Sequence, residues 1–598
     1  MTKVQSHLDW IRKPQRKDRT WAALQRPGAV MLVACALTFV LSLTVFLLSR
    51  VHQVADSAYS MLVSESLIHH RTFTLDQYSL PKTDYRLEES RGHVYYVLPP
   101  GTSVLSVPYV AVMNTLGISA ANPDGTYNPR GEMMIERTLA ALLMASLAVV
   151  FLITARLLLP LRWSIVITLG GVLGTQIYST ASRALWSDTW GLLIMGVVVF
   201  ALLAREAGRW SLHPSILASL LAFAYFVRPT ATVPIIAITI YLAMFHRRML
   251  ATYILAGTAW LALFVAYSWF NFGKALPSYY LPSRLKTETF WEALAGNLIS
   301  PSRGLLVYVP TLLFVGFLLV SYLGHIRYRR LVWLALSIIA VHLVVISSFP
   351  HWWGGHSFGP RFTTGLVPWL VLLAILGVDA MLRAEAQSKH RRTVPRVLQR
   401  VFASCLLLLS LFIHTVGATQ HATWLWNTRP LPIDERPERL WDWRQPQFLA
   451  KYLPYPPPSR FPPMRTVDFS GRDGDEYLWY GWARSGEELW AEANSALVFT
   501  TPTQNGATLI LKLSAFVVPG RLDKQDVTVL LNDKPLTAFS ITDSEPHQYS
   551  LALPAELLLL QNTLRFRMPN ATSEQKLGIG NDPRFRSFRL LAIDVISN

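Results

Sequence analysis

AVMLVACALTFVLSLTVFLL (29–48) carries no charge, and SRVHQVADSAYSMLVSESL (49–67) follows it. The first run is long enough to cross a bilayer core of ~30 Å as a helix. It is too long for the apolar stretch of a signal peptide and has no clear small-residue cleavage site after it, so it reads as an uncleaved anchor. The chain leaves the membrane at about Arg50 and then presents a carboxylate, Asp56, beside the bilayer surface. Position alone leaves two readings of Asp56. It is the N-cap of a helix beginning at Ser57, or a general base for a substrate whose other end is anchored in lipid. The two roles can coexist.

Similar apolar runs recur as far as about Val416, in a chain of 598 residues that is 52% hydrophobic and 15% charged. That is the composition of a polytopic α-helical membrane protein. Eleven transmembrane helices are expected, at about 29–49, 133–156, 163–181, 187–204, 212–227, 231–246, 250–270, 304–324, 331–348, 361–382 and 399–417. The net charge of +18 raises the question of nucleic acid, but its distribution argues against that partner. The tail from Arg465 onward holds 13 Lys/Arg against 16 Asp/Glu, so the excess lies in the membrane half. There it gathers in an arm at 1–27, which can touch anionic lipid, and in turns such as Arg156/Arg162, Arg205/Arg209 and Arg327 to Arg330. Basic turns of this kind mark cytoplasmic loops. The N-terminus is therefore expected in the cytoplasm and everything after Ala418 outside it.

The expected organisation is a cytoplasmic arm (1–27), a membrane domain (28–417) with extracytoplasmic loops at about 51–130 and 271–303, a Pro/Trp-rich linker (418–465) and a tail (466–598). Within the first loop, the apolar stretch 94–117 reads as an interfacial helix. The tail changes pattern to short strands, including ALVFTT (496–501), TLILKLSAFV (508–517), VTVLLND (527–533) and TLRFRMP (563–569). They are bounded by Gly, Pro, Asn and Asp, as in an antiparallel β-sandwich. Cys35 and Cys405 both fall in predicted helices, so no disulfide framework and no cysteine metal site follow.

No Walker loop, no GxGxxG after a strand and no HExxH is present, so neither nucleotide nor metal is signalled and no cofactor is evident. GRDGDE (471–476) lacks the full spacing of a calcium loop. His351 and His356 read as hydrogen-bonding or substrate-binding groups rather than metal ligands. What remains is a set of charged residues at helix ends on one side of the membrane: Asp56, Glu65, Glu132, Glu136, Arg137, Arg183, Asp188, Arg228, Arg303 and Arg361. Such residues are costly there and usually face a polar cavity or one another. One acid among several arginines suits transfer from a phosphorylated lipid. Arginine grips phosphate through paired charge-assisted hydrogen bonds and keeps its proton, while a carboxylate takes the proton of an attacking hydroxyl. Arg303 and Arg361 enter helices through Gly/Pro turns, where free amides add to phosphate binding. Each arginine also has a structural reading. Arg228, before Pro229, ends its helix; Arg183 pairs with Asp188; Arg303 and Arg361 anchor their helices. Glu65, nine residues after Asp56, falls on the other side of the helix. Tyr95 and His93 are placed to line an acceptor path.

Six stretches occur in an order that resembles a known family: 54–76, YYVLPPGTSVLSVPYVAV (95–112), YSTASRALWSDTWGLLI (178–194), FVRPTA (226–231), ISPSRGLLVYVPTLL (299–313) and HWWGGHSFGPRFTTGLVPWL (351–370). Together they make residues 28–417 similar to the GT-C superfamily of polyprenyl-phosphate-sugar-dependent glycosyltransferases. The closest branch is the bacterial family-39-like one, related to protein mannosyltransferases and the lipid A aminoarabinose transferase. The resemblance implies a GT-C fold in the bacterial inner membrane with a periplasmic tail. It implies a polyprenyl-phosphate (undecaprenyl-type) sugar donor and a periplasmic or cell-envelope glycan or glycolipid acceptor. Its catalytic acid falls on Asp56, with the donor phosphate near Arg183, Arg228, Arg303 and Arg361 and substrate near Tyr95, His351 and His356. Many members carry a second acid where this chain has Ser57, which leaves the base role on Asp56 alone. The expected stereochemistry is inverting. The tail is similar to jelly-roll, carbohydrate-binding-like domains, in which Trp479, Trp482 and Trp490 either bind sugar or fill the core. Two rivals remain: a transporter or flippase of lipid-linked glycans, and a non-catalytic surface-glycan assembly and binding protein. The first usually shows internal repeats, which this sequence lacks.

Overall fold

A computed structural model of the chain describes residues 28–52, 56–81, 84–387, 393–428, 432–453, 463–471, 473–501, 505–580, 582 and 584–597. The basic arm (1–27) and the proline run of the linker (454–462) lie outside the described residues. Among the described residues the membrane half holds fourteen helices of ten or more residues: α1 Ala29–Leu47, α2 Ser60–His69, α3 Gly101–Thr115, α4 Pro129–Arg156, α5 Leu161–Leu173, α6 Ser187–Glu206, α7 Pro214–Val227, α8 Thr232–Phe245, α9 Arg247–Phe272, α10 Phe290–Ile299, α11 Thr311–Ser321, α12 Arg329–Ser347, α13 Val367–Gln387 and α14 Thr393–Thr419. A two-stranded hairpin, β1 Leu87–Ser90 and β2 His93–Tyr96, precedes α3.

Seven of the helices are long and apolar enough to cross a membrane, and four shorter apolar helices stand with them. Each of the eleven expected spans falls on one of these. The shorter ones differ from expectation for local reasons. The span at 163–181 stops at Leu173, where Gly174 and a π-turn at Ile177–Ala181 interrupt it. The span at 304–324 is divided at Pro310, which cannot continue a helix. The apolar run 212–246 is broken where Arg228 goes extended before Pro229. The interfacial stretch 94–117 becomes strand β2 and α3, with Pro108 inside the helix.

The centre of the bundle is α4, which packs against α1, α5 and α6. Its start shows why it begins where it does. Asn128 accepts from the Gly131 N–H at 3.1 Å, Pro129 supplies a preset φ, and Glu132 places a carboxylate in the first turn. Peripheral α1 and α9 bury few of their side chains. Val30, Leu32, Leu37, Leu255 and Phe270 are all more than 60% exposed. So much exposed apolar surface is at home in hydrocarbon and not in water.

The tail is a separate antiparallel sheet domain around its own core, including Leu497, Phe499, Leu511, Phe566 and Phe588. The strands are β3 Thr466–Asp468, β4 Leu478–Ser485, β5 Glu488–Phe499, β6 Ala507–Ala515, β7 Gln525–Leu531, β8 Lys534–Ile541, β9 His547–Leu553, β10 Asn562–Arg567 and β11 Phe588–Ser597. Their hydrogen bonding follows one path, β8-β7-β10-β5-β11-β6-β9, with β4 on β5 and β3 on β11. The hydrogen bonding thus runs without a break through all nine strands, and the two ends of the path meet where Phe539 of β8 stacks on Tyr549 of β9. The long strand β5 joins its halves, pairing with β11 near Leu489 and with β10 from Asn494 to Phe499. The β7–β8 turn places Asn532 and Asp533 at φ +51° and +69°, residues that tolerate the left-handed region a tight hairpin needs.

Candidate active site

Helix α2 begins at Ser60. Its N-cap, Tyr59, sits at φ +74° with no side-chain cap. Asp56 does not cap it, which corrects the structural reading of that residue. The cap comes instead from α4. Glu132, fully buried, accepts the backbone N–H groups of Tyr59 at 2.9 Å and Met61 at 2.8 Å, and the Tyr127 hydroxyl as well. One turn further along α4, Glu136 accepts the Ser57 hydroxyl at 2.9 Å. Two carboxylates from the central helix therefore hold the chain immediately after Asp56.

The Asp56 carboxylate turns the other way. Tyr85 donates its hydroxyl to Oδ1 at 2.9 Å, and Arg361 Nη2 donates to Oδ2 at 2.8 Å. The Tyr96 hydroxyl holds the Asp56 carbonyl at 2.6 Å. Burial alone raises the Asp56 pKa. The Arg361 charge and hydrogen bond, the Tyr85 hydrogen bond and the Arg86 charge outweigh it and hold the carboxyl below the ordinary value. Desolvation of its hydroxyl end against Asp56 and the Asp56 charge push the Tyr85 phenol upward, although the ring itself stays exposed, so it remains a donor.

Arg361 is carried by HWWGGHSFGPR (351–361), which folds back on itself before α13. Gly354, Gly355 and Gly359 all have φ between +61° and +71°, the left-handed region glycine enters freely. A Cβ at Gly359 would also stand 2.6 Å from the Tyr308 ring. The Arg361 guanidinium lies 3.7 Å from the Trp186 ring centroid, and its Nε is buried without a hydrogen-bond partner among the described residues. Asp188, at the start of α6, forms an ion pair with Arg228 rather than with Arg183.

These groups surround a cavity of about 430 Å³, lined by Asp56, Arg228, Arg361, His351 and His356, with Tyr85, Trp186 and Tyr279. Five of the eight side chains singled out from sequence thus converge on one space. An apolar groove of about 700 Å³ adjoins it, walled by Val233, Ile236 and Ile240 of α8 and by Val341 and Val345 of α12. Cavity and groove share Arg228, Tyr279 and Phe362.

The other three stand elsewhere. Arg303 is buried and donates to the carbonyls of Trp353, Ser302 and Gly355 and to the side-chain oxygens of Gln447 and Asn427, at 2.6–3.3 Å. It ties the segment after α14 to the loop that carries Arg361. Arg183 donates to the carbonyls of Val51 and Gly417 at 2.8 and 3.0 Å, fixing the exit of α1 against the end of α14. The Tyr95 ring packs on Phe272, centroids 5.0 Å apart. Glu65 is held by Asn114, Ser119 and the Ala120 N–H, away from Asp56. In the tail, Trp482 is core, its indole bonded to the Ala496 carbonyl, while Trp479 and Trp490 are half-buried beside Arg565 and Arg586. The GRDGDE carboxylate of Asp475 is taken by Arg484 at 2.6 Å. Among the described residues no group of three His, Cys, Asp or Glu could hold a metal.

Tyr85, Tyr96 and Trp186 belong to the site and were not singled out from sequence. For Tyr96 a signal existed. Strand side chains alternate between faces, so Tyr95 and Tyr96 of β2 cannot both reach Asp56, and only the register decides between them.

No family model matches the chain, and no curated protein matches it. Among solved structures it is similar to a crystal structure of ArnT from Cupriavidus metallidurans bound to undecaprenyl phosphate. The identity is 12%, over 71% of this chain and 76% of that one, with a TM-score of 0.37. It is also similar to BtGH115A, a family GH115 4-O-methyl-alpha-glucuronidase with specificity for decorated arabinogalactans, at 11% identity over 32% of this chain and 28% of that one, TM-score 0.15. Likenesses of this size carry no argument about the reaction.

Proposed function

We propose that the chain is a membrane glycosyltransferase that moves one monosaccharide from a polyprenyl-phosphate donor to an extracytoplasmic glycan or glycolipid. The observation that carries this reading is the junction of an apolar groove with a polar cavity, where one carboxylate and two arginines meet. The groove suits an isoprenoid chain. Arg228, shared by both spaces, suits the phosphate that joins chain to sugar. Arg361 lies next to it with an unused buried Nε–H, a donor that a phosphate oxygen would satisfy.

The chemistry follows from these positions. The acceptor hydroxyl attacks the anomeric carbon as Asp56 takes its proton. The bond from that carbon to the phosphate oxygen breaks, its electron pair leaves with the phosphate, and the arginines neutralise the growing charge. Direct displacement at a centre with oxocarbenium character inverts the configuration. Arg361 also restrains the base. While it pairs with Asp56 the carboxylate is a weak base, and a phosphate that draws Arg361 away restores its basicity.

The test is Asp56→Asn in the purified full-length chain. Transfer should fall by ~10²–10⁴, the range for loss of a general base, while a cooperative melting transition shows the chain still folded. Near-normal turnover would sink the base assignment. Movement of lipid-linked glycan across vesicles without any sugar transfer would turn the reading to a flippase.

A further inference from the structure

The cavity has two kinds of mouth. One opens into the apolar groove through Arg228, Tyr279 and Phe362. The other is polar: Tyr85 is 68% exposed there, and His351 also reaches solvent. A two-substrate transfer needs two entrances, and only the polar one suits a water-soluble partner. At that mouth a residue enters from outside the membrane helices. Asp434, in the segment after α14, accepts the Trp353 indole N–H on Oδ1 at 2.7 Å and faces His356 Nε2 with Oδ2 at 3.4 Å. Its side chain remains 45% exposed. The contact is one of charge, and His356 Nε2 is buried without a hydrogen-bond partner among the described residues. The other ring nitrogen, Nδ1, has no protein partner among the described residues. The rings of Trp353 and Trp424 flank the two histidines at 5.0 and 6.4 Å.

This is the chemistry of hydroxyl recognition. An imidazole and a carboxylate side by side offer both a donor and acceptors. Arg228 and Arg361, the arginines among the residues lining the cavity, are assigned above to the donor phosphate, which leaves an acidic acceptor no lining arginine of its own. We propose that His356 and Asp434, with Tyr85 and His351 at the same mouth, form a subsite for the hydroxyls of a neutral carbohydrate acceptor. The segment after α14 then completes the site instead of only linking it to the tail. This rests on the transferase reading and adds the class and the contacts of the second substrate.

The experiment uses the full-length chain in nanodiscs and two probes. One is neutral oligosaccharide released by mild acid from the envelope of the source cells. The other is undecaprenyl phosphate. Binding is followed by tryptophan fluorescence for the first and by thermal shift for the second. The wild type should bind both. His356→Gln and Asp434→Asn should weaken oligosaccharide binding tenfold or more and leave the undecaprenyl phosphate shift within twofold in concentration. Asp56→Asn should bind oligosaccharide normally while failing in transfer. The subsite is overturned if the wild type ignores the oligosaccharide, if both variants bind it as the wild type does, or if they lose both probes together, which marks a structural role. If the wild type shows no transfer while the two variants still lose the oligosaccharide, the transferase reading fails and the carbohydrate subsite stands; normal transfer by Asp56→Asn would remove only the base role.

Discussion

Replacing Glu132 separates the local from the global consequences of the cap supplied by α4. Its two oxygens each take one backbone N–H, from Tyr59 and Met61, and Tyr127 adds a hydroxyl. In Glu132→Ala both amides are buried without partners, at ~1–3 kcal/mol each. The hydroxyl of Tyr127 can rotate to another acceptor and adds little. Against this, removing a fully buried carboxylate with no cation among its hydrogen-bond partners recovers part of its desolvation. The net expectation is a loss of ~2–4 kcal/mol. Glu132→Gln keeps one acceptor oxygen for two donors, so a single amide is orphaned and the loss is ~1–3 kcal/mol. The damage is local, because α2 has no side-chain cap of its own. Hydrogen exchange in detergent should therefore show protection at the Met61 amide falling ~10–100-fold in Glu132→Gln and further in Glu132→Ala, with the α4 core unchanged. Transfer should slow because Asp56 loses its fixed position, while donor binding in the apolar groove persists. Unchanged protection at residues 59–63 in Glu132→Ala, or equal damage from both substitutions, would refute the trans-cap.

Asp56 has a folded pKa below its ordinary 3.8. Its contribution to stability is present above the unfolded value and lost as pH falls through the folded one. The acid limb of kcat/KM should accordingly lie below about pH 4 and move upward in Arg361→Ala; a wild-type limb near pH 6 would contradict the pairing. Arg303→Met removes the donor from five acceptors. It should destabilise the chain, at ~1–3 kcal/mol for each buried acceptor that finds no other donor, and expose the segment after α14 to limited proteolysis; raised donor KM with unchanged proteolysis would instead place Arg303 in contact with substrate. In Gly417→Ala the new methyl would stand 2.2 Å from the ring of Phe358, which is fully buried. Overpacking of ~1–3 kcal/mol should lower the melting temperature, and an unchanged melting temperature would show that the loop around Phe358 yields.

The long helices were legible because bilayer thickness sets their length, and α1, α4, α6 and α9 each show an uninterrupted apolar run. The ends of the short ones were not, because Gly174, Pro229 and Pro310 act on backbone geometry while leaving hydropathy high. In the tail, β8 escaped notice because its edge position leaves most of KPLTAFSI exposed and without clean alternation. Asp56, Arg228 and Arg361 could be picked out because a charge against apolar helices is conspicuous. Arg303 was equally conspicuous, but its partners lie between residues 302 and 447, and no local pattern shows that they use up its donors. Asp434 carried no signal at all, since it joins the cavity only through the fold of the segment after α14.

Gln447 lies at the middle of that segment. Its Oε1 takes Arg303 and the Gly359 N–H, and its Nε2 serves the carbonyls of Ser357 and Thr423. A truncation placed where the last apolar helix ends would cut through this knot and leave Gly359, two residues from Arg361, without its anchor. For anyone swapping or deleting the sheet domain, the natural seam is therefore beyond Leu449, some thirty residues later than hydropathy suggests. A tail-less version cut at 418 would lose activity for reasons unrelated to the tail.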